Sequence, residues 1–242
     1  MTRSRSLGIA CAALAALLSM SAEAAQLGFY AGGLLGATDK NESKETYETF
    51  TLNGFYPAIG FVPDRHVSQF DSQDQGYSVL LGYRIHRHFA IEAVYSDFGD
   101  VEYRAQSDGT TVIRGEEGLE TLPLSFDTTL RSEMNGIGAY ALGIWTIGTR
   151  WELYGRAGVQ YSTLKSTARI RRTGGTDRVV PRAELSIPNE TAWDYAAGIG
   201  VAMSVAQVYG LRLEFLRVFD PGEDDASRGD ADMLSLGFIV AF

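Results

Sequence analysis

Met233-Leu234-Ser235-Leu236-Gly237-Phe238-Ile239-Val240-Ala241-Phe242 is an alternating apolar strand that ends on an aromatic residue. A soluble chain rarely finishes on a strand it cannot continue. A barrel does, because its last strand has to pair with its first. This segment therefore predicts a closed sheet, and the rest of the chain is read against it.

Residues 1–24 are expected to be a secretion signal. Arg3 and Arg5 make the basic start, Leu7 to Met20 the apolar run, and Ala22-Glu23-Ala24 an A-x-A cleavage site that leaves Ala25 first. The apolar run, about fourteen residues, is short for a spanning helix. The only cysteine, Cys11, lies within it, and Gly8-Ile9-Ala10 before it is not a lipoprotein box. The expected mature domain, 25–242, thus has no disulfide, thiolate metal site or cysteine nucleophile.

Removing Arg3, Arg5 and Glu23 moves the formal charge from −9 to −10. Such an acidic chain excludes nucleic acid as the expected partner. No apolar run after the signal reaches the roughly 18 residues of a membrane helix, so a membrane location requires a closed barrel.

Eight strands are legible: Leu27–Ala37, Gln75–Ile85, Ala90–Phe98, Arg131–Ile147, Arg150–Lys165, Ala192–Val205, Val208–Phe219 and Ala231–Phe242. Short turns, His86-Arg87-His88, Gly148-Thr149 and Ala206-Gln207, alternate with long polar segments read as loops. Those segments run to Gln73, from Gly99 to Thr129, from Ser166 to Glu190 and from Asp220 to Asp230. Period-2 alternation puts Tyr77, Val79, Leu81, Tyr83 and Ile85 on one face, and Trp193, Tyr195, Ile199 and Val201 likewise. Gly32, Gly76, Gly82, Gly158, Gly198 and Gly200 fall on the charged face, as a narrow interior requires. The segment Gly136–Trp145 is apolar on both faces, and its facing stays open. With Phe29, Tyr95, Trp151, Trp193 and Phe242 as aromatic girdles, the apolar face is expected to meet lipid.

Gly28-Phe29-Tyr30-Ala31-Gly32, Gly82-Tyr83-Arg84 with Ala90-Ile91-Glu92, Leu153-Tyr154-Gly155-Arg156-Ala157-Gly158, Gly198-Ile199-Gly200-Val201, Leu211-Arg212-Leu213-Glu214 and Met233–Phe242 resemble the OmpA-type eight-stranded outer-membrane barrels. The resemblance implies an all-β, antiparallel, up-and-down transmembrane barrel with periplasmic turns, external loops and a Gram-negative outer-membrane location. It also implies that Phe242 is the assembly signal read by the barrel-assembly machinery. The family's namesake adds a peptidoglycan-binding domain after its barrel, and here the chain stops at Phe242. That protein's additional gating charges would fall at Ala141 and Ala202, so the same gate is not expected.

Arg84, Glu92, Arg156, Arg212 and Glu214 are expected to form a lumen charge network, with Arg84, Glu152 and Asp194 nearer the ends. Buried ions must pair, and an eight-stranded interior is filled by side chains, so a self-satisfied plug is favoured over a polar path. Lys165, Arg169, Arg171 and Arg172, with Arg178 and Arg182, make the third loop basic and are candidate contacts for lipopolysaccharide phosphates. Asp220-Pro221-Gly222-Glu223-Asp224-Asp225 lacks the spacing of a calcium loop and reads as a solvated turn. His66-Val67-Ser68 is the nearest approach to a histidine–serine pair. No H-E-x-x-H, G-x-S-x-G or phosphate loop accompanies it. The sequence reading is therefore a non-enzymatic envelope protein without metal or cofactor. Its loops serve an adhesin-like role toward an unidentified surface ligand. A narrow passive channel for ions or small solutes is the alternative, and a lipid-modifying enzyme stands behind both.

Overall fold

The computed structural model describes residues 27–115, 118–175, 183–186, 189–206, 208–219 and 229–242. The expected signal, most of the acidic Asp220–Asp230 segment, Arg178 and Arg182 lie outside these residues. The strands are β1 (Gly28–Lys40), β2 (Phe61–Asp71), β3 (Gln73–His86), β4 (Phe89–Gly115), β5 (Gly118–Ile147), β6 (Trp151–Gly175), β7 (Ala183–Ser186), β8 (Glu190–Ser204), β9 (Tyr209–Phe219) and β10 (Ala231–Ala241). All pairings are antiparallel, and all strands except β2 and β7 form one closed ring of eight. The terminal strand closes it, from Tyr30 opposite Ala241 to Lys40 opposite Ala231. The Phe242 N–H then donates to the Phe29 carbonyl at 3.0 Å. Pairing of the last strand with the first leaves the ring no open edge.

Alternation sorts the ring into a wet-side pattern turned inside out. Tyr77, Val79, Leu81 and Tyr83 of β3, and Trp193, Tyr195 and Ile199 of β8, are exposed outward. In β5 the even residues Met134, Tyr140 and Leu142 are buried, while Ile137, Trp145 and Ile147 face out, which fixes the facing that the sequence left open. Ala141 therefore points outward, so it cannot stand at an interior gating position. Both of its neighbours are apolar, which hid the phase from pattern reading. Trp151 and Tyr161 mark the two aromatic borders on β6. The ten or so residues between them, at about 3.3 Å each and tilted some 40°, span about 25 Å, the height of a bilayer's apolar band.

Inside, each bulky group faces a small one across the ladder. Tyr30 lies opposite Gly82, Tyr154 opposite Gly200, Arg156 opposite Gly198 and Tyr140 opposite Gly158. A Cβ on Gly82 or Gly200 would collide with the facing tyrosine. The interior is less polar than the sequence suggested, because Leu34, Leu80, Val94, Phe98, Met134, Leu216 and Met233 also pack there.

Among the described residues, much of the first three long polar segments is helix or strand rather than loop. β4, β5 and β6 contain 27, 30 and 25 residues, against the roughly 9–11 that cross a bilayer. Their upper halves continue beyond the ring as a sheet, joined by β2 along β4 and by β7 along β6. The segment between β1 and β2 lines that sheet as α1 (Lys44–Thr49), a π-helical turn (Phe50–Phe55) and α2 (Tyr56–Ala58). Ser43 starts it by accepting from the Glu45 N–H at 3.2 Å. Tyr56, Phe61, Leu124, Phe126 and Ile170 form one core here, and Tyr103, Ala105, Leu130 and Ala168 another. The protein thus carries an external lobe with its own apolar interior.

The joint is a β-bulge. Between Asp97 and Asp100 the register of β4 against β5 shifts, and Gly99 adopts φ +67°. One extra residue exchanges the faces of the strand. Below it Glu92, Val94, Ser96 and Phe98 are buried; above it Val101, Tyr103, Ala105 and Ser107 are. The Gly99 N–H donates to Asp97, the Asp100 N–H to Asp74 at 2.8 Å, and Lys40 Nζ to the Gly99 carbonyl at 2.9 Å. Gly99→Val would force a β-branched residue into the left-handed region and against the Asp74 carboxylate, a cost of about 1–3 kcal/mol. Limited proteolysis should then cut the lobe faster, while the heat-modifiability of the barrel persists.

Candidate functional site: a sealed lumen and an external lobe

Four charges from three strands meet in the middle of the ring: Glu92 on β4, Arg156 on β6, and Arg212 and Glu214 on β9. Each is at most 3% exposed. Arg212 forks between the two acids, with Nη1 2.5 Å from Glu92 Oε1 and Nη2 2.5 Å from Glu214 Oε2. Arg156 closes the square, with Nη2 2.7 Å from Glu214 and Nη1 3.4 Å from Glu92. Tyrosines complete the shell. Tyr30 donates to Glu92 at 2.8 Å and Tyr154 to Glu214 at 2.7 Å. Arg212 lies 4.2 Å from the Tyr154 ring centre, and Arg156 lies 4.5 Å from that of Tyr140. Such stacking suits the weakly hydrated guanidinium. The glycines opposite these rings supply the room. The sequence reading grouped the right ions but left out the tyrosines. Their signal was present, in inward tyrosines registered on glycines.

Arg84 departs from the expected network. It pairs with Glu152 near the periplasmic mouth, at 2.8 and 3.2 Å, and donates to the Arg87 carbonyl at 2.6 Å. Between that pair and Arg212 lies a vestibule of about 130 Å³ lined by Tyr30, Leu142, Ile144 and Tyr154. Above the quartet, Tyr140 donates to Gln160 at 3.0 Å and Gln160 to Ser162 at 3.0 Å. Lys40 then bridges the Gly99 and Ser132 carbonyls at 2.9 and 3.2 Å. Polar groups thus alternate with apolar packing up the lumen.

In the lobe His66 does not meet Ser68. Its Nδ1 lies 2.8 Å from Ser107 Oγ and its Nε2 3.1 Å from the Tyr103 hydroxyl. Tyr56 donates to the same Ser107 at 2.7 Å, and Ser68 donates to Glu48 at 2.5 Å. Ser107 is 1% exposed, and both imidazole nitrogens are engaged. The cluster reads as a pin holding β2 and α2 to β4 rather than a nucleophile with its base.

Lys165, Arg169 and Arg171 lie exposed in one row on the outward face of β6, which carries the strand ending at Lys165 on through Arg169 and Arg171, where a loop was expected. Arg172 is turned to the other face, so it drops out of that row. Cross-strand neighbours of the row include Glu133 beside Lys165 and Asp127 beside Arg171. Arg131 holds Asp100 at 2.8 Å in the same surface. The basic row is thus embedded in a mixed-charge ladder.

Two outcomes are expected. Removing one buried partner leaves uncompensated charge, worth about 3–5 kcal/mol. Glu92→Gln should therefore lower the temperature at which the folded band converts in a heat-modifiability gel, and Tyr30→Phe should do so less. Burial holds the His66 imidazole below its ordinary value, against a smaller opposing pull from Glu48 and with Lys44 acting in the same sense as burial. The unfolded chain therefore takes up the proton first. The contribution of neutral His66 is present above the ordinary value near 6.5 and is lost as pH falls toward the lower folded value. Protease sensitivity of the lobe should rise between about pH 7 and 5, and His66→Gln should flatten that dependence.

Several solved outer-membrane proteins are similar to this chain at low identity. Neisserial surface protein A shares 15% identity, covering 89% of this chain and 97% of that one, with a TM-score of 0.45. The outer membrane protein OprG of Pseudomonas aeruginosa shares 12%, covering 90% and 98%, with a TM-score of 0.47. Ail, the attachment invasion locus protein of Yersinia pestis, shares 13%, covering 88% and 99%, with a TM-score of 0.41. No match was found among curated proteins. The family model described as the outer membrane protein beta-barrel domain matches residues 9–242, and the chain belongs to that family.

Proposed function

We propose that this protein is a non-enzymatic barrel of the Gram-negative outer membrane whose external lobe is an interaction surface and whose lumen is a closed structural plug. The observation that carries this reading is the pairing of a sealed quartet below with a separately cored lobe above. An interior built for passage would leave its charges hydrated, whereas Glu92, Arg156, Arg212 and Glu214 are buried and ion-paired with one another. A lobe raised on three strands far longer than a bilayer requires is accounted for by contact beyond the lipid.

Lipid and lipopolysaccharide are the nearest partners. Lys165, Arg169 and Arg171, exposed in one row with Glu133 and Asp127 across from its ends, are the groups that would meet lipopolysaccharide phosphates. Residues 1–24 serve as the cleaved signal in this reading, and Phe242 as the residue presented to the assembly machinery. The passive-channel reading has the periplasmic vestibule in its favour, but that space ends on Arg212 and Tyr154.

Replacing residues 102–130 by a short turn, together with deletion of 44–71, should leave a folded, heat-modifiable barrel while abolishing surface binding of intact cells to host-cell or matrix ligands. In planar bilayers the unmodified protein should show no steady conductance. Stable single-channel steps from it would overturn the plug and favour the channel.

A further inference from the structure

The helical segment takes the chain away from the sheet and leaves the place beside β2 unfilled. β1 pairs with β3 as far as Asp39 opposite Gln73, and the Lys40 N–H donates to the Ser72 carbonyl at 3.2 Å. Beyond Asn41 the chain turns into α1 instead of continuing along β2, so β2 pairs only with β4. Its other edge has no backbone partner among the described residues. The ladder shows which groups that edge presents. A Cβ on Gly109 would lie 2.1 Å from the Val62 carbonyl oxygen, so that carbonyl points at β4, and the alternation along β4 continues from there. Arg65, Val67 and Gln69, opposite Asp108, Gln106 and Arg104, bond to β4. His66, Ser68 and Phe70 therefore turn their N–H and C=O groups to the open side.

Edges are commonly blocked by proline, by bulges and by charge. Pro63 and the register shift before Arg65 do this for the top of β2, but residues 65–71 pair regularly and contain no proline. Their inner face is backed by α1, with Ser68 donating to Glu48 at 2.5 Å and the Tyr47 ring centre 5.4 Å from that of Phe70. Their outer face alternates Arg65, Val67, Gln69 and Asp71, all exposed, with Val67 at 54%. Asp71 lies opposite Glu102, and Arg65 lies opposite Asp108, whose carboxylate accepts from Ser125 at 2.7 Å. A strand laid on the free side would thus meet a carboxylate at one end, an apolar side chain at the centre and a guanidinium at the other end.

We propose that residues 65–71 of β2 receive an extended segment of a protein partner, added antiparallel, with a base opposite Asp71, an apolar residue opposite Val67 and an acid opposite Arg65. Main-chain bonds to His66, Ser68 and Phe70 supply affinity, and the alternate outward side chains supply specificity. A second copy in the same membrane does not fit, because a two-fold axis along the membrane normal sets the two β2 strands parallel and joins unlike faces. The inference rests on the lobe being an interaction surface and names the kind of partner that surface takes.

The test mixes the full mature chain in lipid nanodiscs with the end-capped peptide Lys-Thr-Gln-Ser-Val-Thr-Glu and follows amide exchange by NMR. Millimolar peptide should slow exchange at His66, Ser68 and Phe70 by about tenfold, with Arg65, Val67 and Gln69 little changed. N-methylation of the peptide's serine, which faces β2, should abolish the effect, and N-methylation of its valine, which faces away, should not. Exchanging its lysine and glutamate should weaken binding about fivefold. Ser68→Pro removes an edge N–H without breaking the ladder and should abolish protection, whereas Ser68→Ala, which also loses the bond to Glu48, should retain it. Unchanged exchange at millimolar peptide, or protection indifferent to which amide is methylated, would overturn the proposal. So would a Gln69→Cys disulfide between copies on intact cells without peptide protection, which would make the occupant a second copy. Cell binding that is lost with the lobe but survives Ser68→Pro would keep the lobe as a contact surface and reject its edge. Cell binding that survives deletion of the lobe would instead refute the adhesive reading, an outcome on which the peptide measurements do not depend.

Discussion

Four ions buried at the centre of a ring only eight strands wide constrain everything built around them. Each would cost several kcal/mol to remove from water alone, so each must keep two opposite partners at hydrogen-bonding distance. That geometry fixes which residues of β4, β6 and β9 share a level, and hence the stagger of the ring. It also fixes the glycines. Arg156 can reach both acids because Gly198 lies beside it, and Tyr154 can reach Glu214 because Gly200 leaves the space. The interior is a set of large groups, each with an assigned gap, and the pairs are spread over distant parts of the chain.

The lobe follows a second rule, which Gly99 separates from the first. Below the bulge, β4 buries charge and small residues against its own ring. Above it, the opposite parity buries Tyr103 and Ala105 against a helical segment that has no counterpart lower down. Asp74, Asp97 and Lys40 hold the bulge from three directions, so the change of phase is a fixed joint. Tyr56 and His66 then tie the helical segment and β2 to the same strand through Ser107.

Much of the ring was legible in the sequence because membrane strands alternate strongly. Tyr77 to Ile85, Trp193 to Val201 and the terminal segment showed their outward faces directly, and Glu92, Arg156, Arg212 and Glu214 stood out as charges on the other face. Arg84 shared that face but sits too near the mouth to reach them. The lobe was hidden for physical reasons. Its β4 segment alternates in the opposite phase to the membrane part, Asp64 interrupts the register of β2, and charged outward residues make both resemble loop. A helical signal was nonetheless present, because Tyr47, Thr51 and Phe55, with Leu52, Tyr56 and Ile59, fall at three- to five-residue spacing. The facing of Ala141 and Arg172 depended on phase within runs that carry no contrast, and pattern alone could not supply it.

A lumen filled by this quartet also bears on the order of construction. The two external cores draw only on residues 47–170, whereas the ring is closed by residues 231–241 pairing with β1. Once Arg212 has joined the two acids there is no opening through which tens of residues could be threaded. A lobe that crossed through its own ring would have to do so while β1 and β10 are still apart. The ion quartet, which draws on β9, is then assembled around a path already used. Burial of those charges ties β4, β6 and β9 together across the lumen, and on that route transit would have to precede their pairing. The pairing of the last strand with the first acts as a latch that can be set only after the cargo of the chain itself has gone by.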